Sequence, residues 1–60
     1  MTLEEARLSN GWSLEDACLA FGLDAETLIQ YESGTEIPDK WALDIILSVL
    51  GLDYKDIVLN

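Results

Sequence analysis

The feature that most constrains this chain is one glycine, Gly22, set between two short segments that each open on a capping residue. Ser13 is followed by Glu15 and Asp16, and Asp24 by Glu26, so each segment begins with a side-chain acceptor and acids where a helix dipole favours them. Leu14, Ala17, Cys18 and Phe21 recur at helical spacing, and Leu19 falls off that stripe. Glycine adopts a positive φ at little cost, so Gly22 can end the first helix and hand the chain to Asp24. The spacing predicts two short helices joined by a tight turn, the second stopping at Gly34. In that second helix Leu28 and Tyr31 lie three apart and face a core, which leaves Ala25, Glu26, Ile29 and Gln30 outside.

The rest of the chain repeats this pattern of cap, apolar stripe and stop. Thr2 with Glu5 forms a capping box for a first helix, with Leu3, Ala6 and Leu8 on its apolar side and Asn10-Gly11 at its end. Trp12, between the first two helices, is expected to lid the core. Thr35 to Pro38 reads as a loop, because proline disfavours helix for Ile37, and Asp39 caps the next helix, roughly Lys40 to Leu50. On that helix Lys40, Asp44 and Ser48 make one narrow polar stripe, and apolar residues fill the remaining arc of roughly 240°. Two readings stay open: the neighbours wrap the whole helix, or Trp41, Ile45 and Val49 extend beyond the core into a dimer or partner interface. Trp41 itself fits either. Gly51 ends this helix, Asp53 caps a last short one, and Ile57, Val58 and Leu59 are expected to close the bottom of the core.

Sixty residues bury only about 60% of the surface that the unfolded chain exposes, so one small all-α domain over residues 1–60 is expected. Half the residues are hydrophobic and one is proline, which argues against disorder. Cys18 is the sole cysteine and falls among apolar positions, as a buried thiol in a reducing compartment would. With no histidine, one cysteine and no glycine-rich phosphate loop, neither an enzyme nor a metal or cofactor site is expected. The start, Met1-Thr2-Leu3-Glu4-Glu5, lacks a basic, apolar leader, and the greasy stretch from Trp41 to Leu52 is short and broken by Asp44. A cytoplasmic protein with no membrane segment is the expectation.

Leu3, Ala6-Arg7, Gly11, Ser13, Gly22, Thr27, Tyr31-Glu32-Ser33-Gly34, Ile37-Pro38, Leu43, Ile46, Leu50-Gly51 and Ile57 follow one known pattern without gaps. The chain resembles the Cro and phage-repressor helix-turn-helix domains, also called Xre-like, over nearly its whole length. The resemblance implies a compact five-helix bundle of the lambda-repressor-like type with a central helix-turn-helix. It also implies a structural ion pair between Arg7 and Glu32, and a DNA-reading face on the third helix at Ala25, Glu26, Ile29 and Gln30. Backbone anchors would fall at Ser13, Leu14, Ser33 and Thr35. Here the chain departs from the family, since relatives commonly carry glutamine where Leu14 stands and basic residues where Thr35 and Glu36 stand.

Charge sharpens that departure. Twelve acidic residues face three cations, a formal net charge of −9, whereas DNA-binding domains rely on lysine and arginine to neutralise phosphates. The sequence therefore favours a small transcription-regulation protein that uses the former reading face on a protein partner, such as a basic DNA-binding protein, as a repressor antagonist or partial DNA mimic. The alternative is a sequence-specific DNA-binding regulator of phage or plasmid type, acting as a homodimer. Antitoxin-like roles through the fourth helix form a third reading.

Overall fold

The computed structural model describes residues 1–59. Among them are four α-helices, α1 (Leu3–Ser9), α2 (Leu14–Phe21), α3 (Ala25–Ser33) and α4 (Lys40–Leu50), followed by a 3₁₀ turn, Tyr54–Asp56. The first four elements begin where the caps place them. Thr2 and Glu5 exchange side-chain and backbone hydrogen bonds at the start of α1, as Ser13 and Asp16 do at α2. Asp24 accepts from the Thr27 amide at 2.8 Å, and Asp39 from the Ala42 amide at 2.9 Å. Each of these bonds satisfies a first-turn amide that has no partner inside its own helix.

At the α2–α3 turn Gly22 sits at φ 71°, and both its amide and that of Leu23 donate to the Cys18 carbonyl. A Cβ at Gly22 would meet nothing within 4 Å, so it is the backbone angle and not space that requires glycine there. Leu23 then turns back onto the core. The core itself gathers Leu3, Ala17, Phe21, Leu28 and Ile46, one or two from each helix. Trp12 sets its ring edge-on to Phe21, 5.9 Å between centroids at 73°, and so lids the core between α1 and α2. Leu14, Cys18 and Tyr31 pack on this cluster from its rim and remain half-buried.

Several expectations need correction, among them a fully buried Cys18, which is half-buried. Leu8 is exposed, because the side of α1 toward the core is filled by Leu3, Ala6 and Arg7. The last element is a three-residue 3₁₀ turn where a fifth helix was expected: its amides bond three residues back, from Asp56 to Asp53 and from Ile57 to Tyr54. Beyond it Ile57 is already extended, and the Val58 amide donates to the Met1 carbonyl at 2.7 Å. The β-branched Ile57-Val58 pair suits this extended tail better than another helical turn. Ile57 and Leu59 pack on the core, while Val58 points outward.

Helix α4 resolves the question raised by its wide apolar arc. Ile46 and Leu47 are buried, and Ala42, Leu43 and Leu50 are half-buried, so one side of the helix is enough for the core. Trp41, Ile45 and Val49 remain exposed beside the polar stripe. Among the described residues no helix is long and apolar enough to cross a membrane.

Candidate functional site

The outer side of α3 is a continuous surface because its inner side is committed elsewhere. Leu28 is fully buried, and Tyr31 packs on the core. Glu32 faces α1, where Arg7 Nε donates to Oε2 at 2.8 Å and Nη2 to Oε1 at 3.2 Å. Arg7 Nη1 also donates to the Trp12 carbonyl at 3.2 Å. Arg7 is only 9% exposed, and its bonds to Glu32 push its pKa further up. One of the chain's three cations is thereby enclosed and fully charged inside the fold.

What remains outward on α3 is Ala25, Glu26, Ile29 and Ser33, with Gln30 half-exposed at the margin. At 100° per residue these five positions cover an arc of roughly 140°. Ile29, 52% exposed, stands near the middle of it. No lysine or arginine occurs anywhere in α2, α3 or the loop to Asp39. Lys40 opens α4, and Lys55 lies in the 3₁₀ turn.

Apart from the Ser13 hydroxyl proton, the side chains at the positions where a phosphate backbone would be gripped are engaged or apolar. Ser13 Oγ accepts from the Asp16 amide, and Asp16 Oδ2 takes the Ser13 amide, both at 3.1 Å. Leu14 packs on the core and offers no polar group. Ser33 Oγ donates to the Gln30 carbonyl at 3.2 Å and lies 2.9 Å from Thr35 Oγ1, so these two hydroxyls are tied to each other and to the end of α3. At the start of α3 the Asp24 carboxylate holds the Thr27 amide, and bonding to Thr27 keeps the Asp24 pKa below its ordinary value. A negative charge thus already occupies the place where the α3 dipole would welcome a phosphate.

The structure adds two features that the spacing of residues did not reveal. The mutual bond between Ser33 and Thr35 depends on Gly34 at φ 83°, which folds the hydroxyls together. The enclosure of Arg7 under the Trp12 carbonyl depends on the turn at Gly11, where the Trp12 amide bonds the Arg7 carbonyl at 3.2 Å. Both are contacts between short turns and helix ends, which helical periodicity does not encode.

No curated protein and no solved structure matches the chain. Residues 3–57, nearly the whole length, match a family model described as helix-turn-helix. The chain belongs to the helix-turn-helix family of Cro and repressor type.

Proposed function

We propose that this helix-turn-helix regulator acts through a protein partner that docks on the outer face of α3, with Ala25, Glu26, Ile29 and Gln30 as its contacts. One observation carries the reading: the face that would enter a DNA groove carries an exposed isoleucine and Glu26 and no lysine or arginine, with Asp24 and Glu36 beyond its two ends. Glu26, Asp24 and Glu36 would meet phosphates with like charge, at net charge −9 for the whole chain. The same layout complements a basic protein surface, with Ile29 as the apolar contact and the acids as its rim. A repressor antagonist or partial DNA mimic has this chemistry. The reading requires neither catalysis nor a cofactor.

Fluorescence anisotropy of a labelled random duplex, titrated with the protein at low salt, tests the reading. No binding is expected. Binding that weakens steeply as salt rises would mean that phosphates are being neutralised, and the protein-partner reading would fall in favour of a DNA-binding regulator. A pull-down from the native host with wild type and Ile29→Glu gives the second arm. A partner band lost with Ile29→Glu supports docking on α3, and a band retained by the variant places the contact elsewhere.

A further inference from the structure

Asn10-Gly11 ends α1 in a turn that belongs neither to the core nor to the α3 face. Both residues are exposed, as are Leu8 and Ser9 before them. Asn10 holds φ −85° and ψ −1°, and Gly11 follows at φ 72°. A Cβ at Gly11 would meet nothing within 4 Å, so water reaches the turn freely. The Gly11 amide donates to the Leu8 carbonyl at 2.9 Å, and the Trp12 amide to the Arg7 carbonyl at 3.2 Å. Among the described residues the Asn10 carboxamide makes no hydrogen bond, so it can rotate toward the backbone that follows it.

We propose that Asn10 is a site of self-modification: when the turn opens, the Gly11 nitrogen attacks the Asn10 side chain and converts it to aspartate and isoaspartate. Glycine suits this chemistry because it has no side chain to crowd the attack and rotates freely into the reactive geometry. The Gly11 nitrogen bonds to Asn10 Cγ, the Cγ–Nδ2 bond breaks, and ammonia leaves with the proton that the Gly11 nitrogen gives up. A five-membered imide remains, and water cleaves it at either carbonyl. Attack at Cγ gives aspartate. Attack at the main-chain carbonyl gives isoaspartate, in which the chain runs on through Cγ.

The closed turn blocks the first step in two ways. The proton on the attacking nitrogen is held by the Leu8 carbonyl. At ψ −1° that nitrogen also points away from Cβ, and tetrahedral geometry at Cα requires a rotation of about 120° to close the ring. The reaction therefore reports opening of the turn. Solvent-exposed backbone bonds at the end of a seven-residue helix belong to the low-stability part of a fold, so the opening is local. Two such bonds slow the reaction by about 5- to 150-fold relative to a free peptide. The product then acts on the fold. Isoaspartate adds one carbon to the backbone between Ser9 and Gly11, which draws the Gly11 amide off the Leu8 carbonyl and shifts the Trp12 carbonyl that accepts from Arg7 Nη1. Either product also sets a carboxylate at the C-terminal end of α1, where the dipole disfavours an anion. Loss of ammonia makes the change one-way, so an aged molecule is a loosened one.

The test is incubation of the protein beside an end-blocked peptide of residues 8–13 at mildly alkaline pH, with mass spectrometry locating the change and enzymatic methylation counting isoaspartate. Conversion at Asn10 should run about 5- to 150-fold slower in the protein than in the peptide. Corrected for the peptide, the rate should change less than about twofold between 0 and 1 M urea, whereas opening by global unfolding would raise it about fivefold or more per molar. The purified isoaspartate form should melt at least about 5 °C below fresh protein. Asn10→Asp carries the charge without the extra carbon and should show less than half of that drop. A rate equal to the peptide's, no conversion over many peptide half-lives, or a rate that follows global unfolding would each overturn local opening of the turn. An isoaspartate form that melts like fresh protein would overturn the effect on the fold. None of these results depends on what α3 binds.

Discussion

Arg7 and Glu32 are the residues on which the domain is least able to compromise. Twenty-five positions apart, they join α1 to the end of α3 by two hydrogen bonds, and their side chains are about one tenth exposed. A buried pair need not stabilise more than a well-packed apolar pair would, but removing one partner strands the other without water. Glu32→Ala should therefore cost about 3 kcal/mol, against a total stability of only about 3–9 kcal/mol for sixty residues. By circular dichroism the variant should melt about 12–24 °C below wild type. Arg7→Met with Glu32→Leu should regain much of the lost melting temperature. A Glu32→Ala melting curve that overlays the wild type would show that the pair does nothing for the fold. The Glu4 carboxylate, 3.9 Å from Arg7 and exposed, is too screened to take over this role.

At the scale of the elements, the helix starts were written plainly in the sequence because capping is local. Thr2, Ser13, Asp24 and Asp39 each bond an amide three residues ahead, and a three-residue spacing can be read directly from the chain. The core stripe of α2 and the inward Leu28 were legible for the same reason. The exposure of Leu8 and the 3₁₀ character of Tyr54–Asp56 were not, since Arg7 is drawn inward by Glu32 from a distant part of the chain and the tail is held by the Met1 carbonyl at the other end of it. For α4, the sequence showed too much apolar surface for one core but could not show which part would be left over. The acidic caps also make the elements sensitive to acid. The Asp24 pKa is depressed by bonding to Thr27, and the Glu5 pKa by bonding to Thr2. A depressed folded-state pKa means a contribution that is complete above the unfolded value and lost as pH falls through the folded one. The window therefore opens below about pH 4. Asp24→Asn keeps an acceptor at the cap but removes its titration. Between pH 4 and 2.5, its melting temperature should fall less steeply than that of wild type, and equal slopes would detach Asp24 from the acid response.

For the whole molecule, the charge that argues against DNA also acts on the fold. The particle measures 25 × 23 × 18 Å and carries a net charge of −9. At about 0.01 M salt the screening length is roughly 30 Å, longer than the molecule, so every acid repels every other; at 0.1 M it is roughly 10 Å and most of these pairs are cut off. Unfolding moves the acids apart, so self-repulsion weakens the compact state most at low salt. The Arg7–Glu32 pair is enclosed and loses little to screening, which leaves the repulsion as the larger salt-dependent quantity. Salt should consequently raise the melting temperature, by about 5 °C between 0.01 and 0.3 M if the relief is near 1 kcal/mol. Sodium and choline chlorides should give the same curve if screening is responsible. A flat or falling curve would mean that the acids are neutralised locally, and the long-range field invoked against phosphate binding would lose its support.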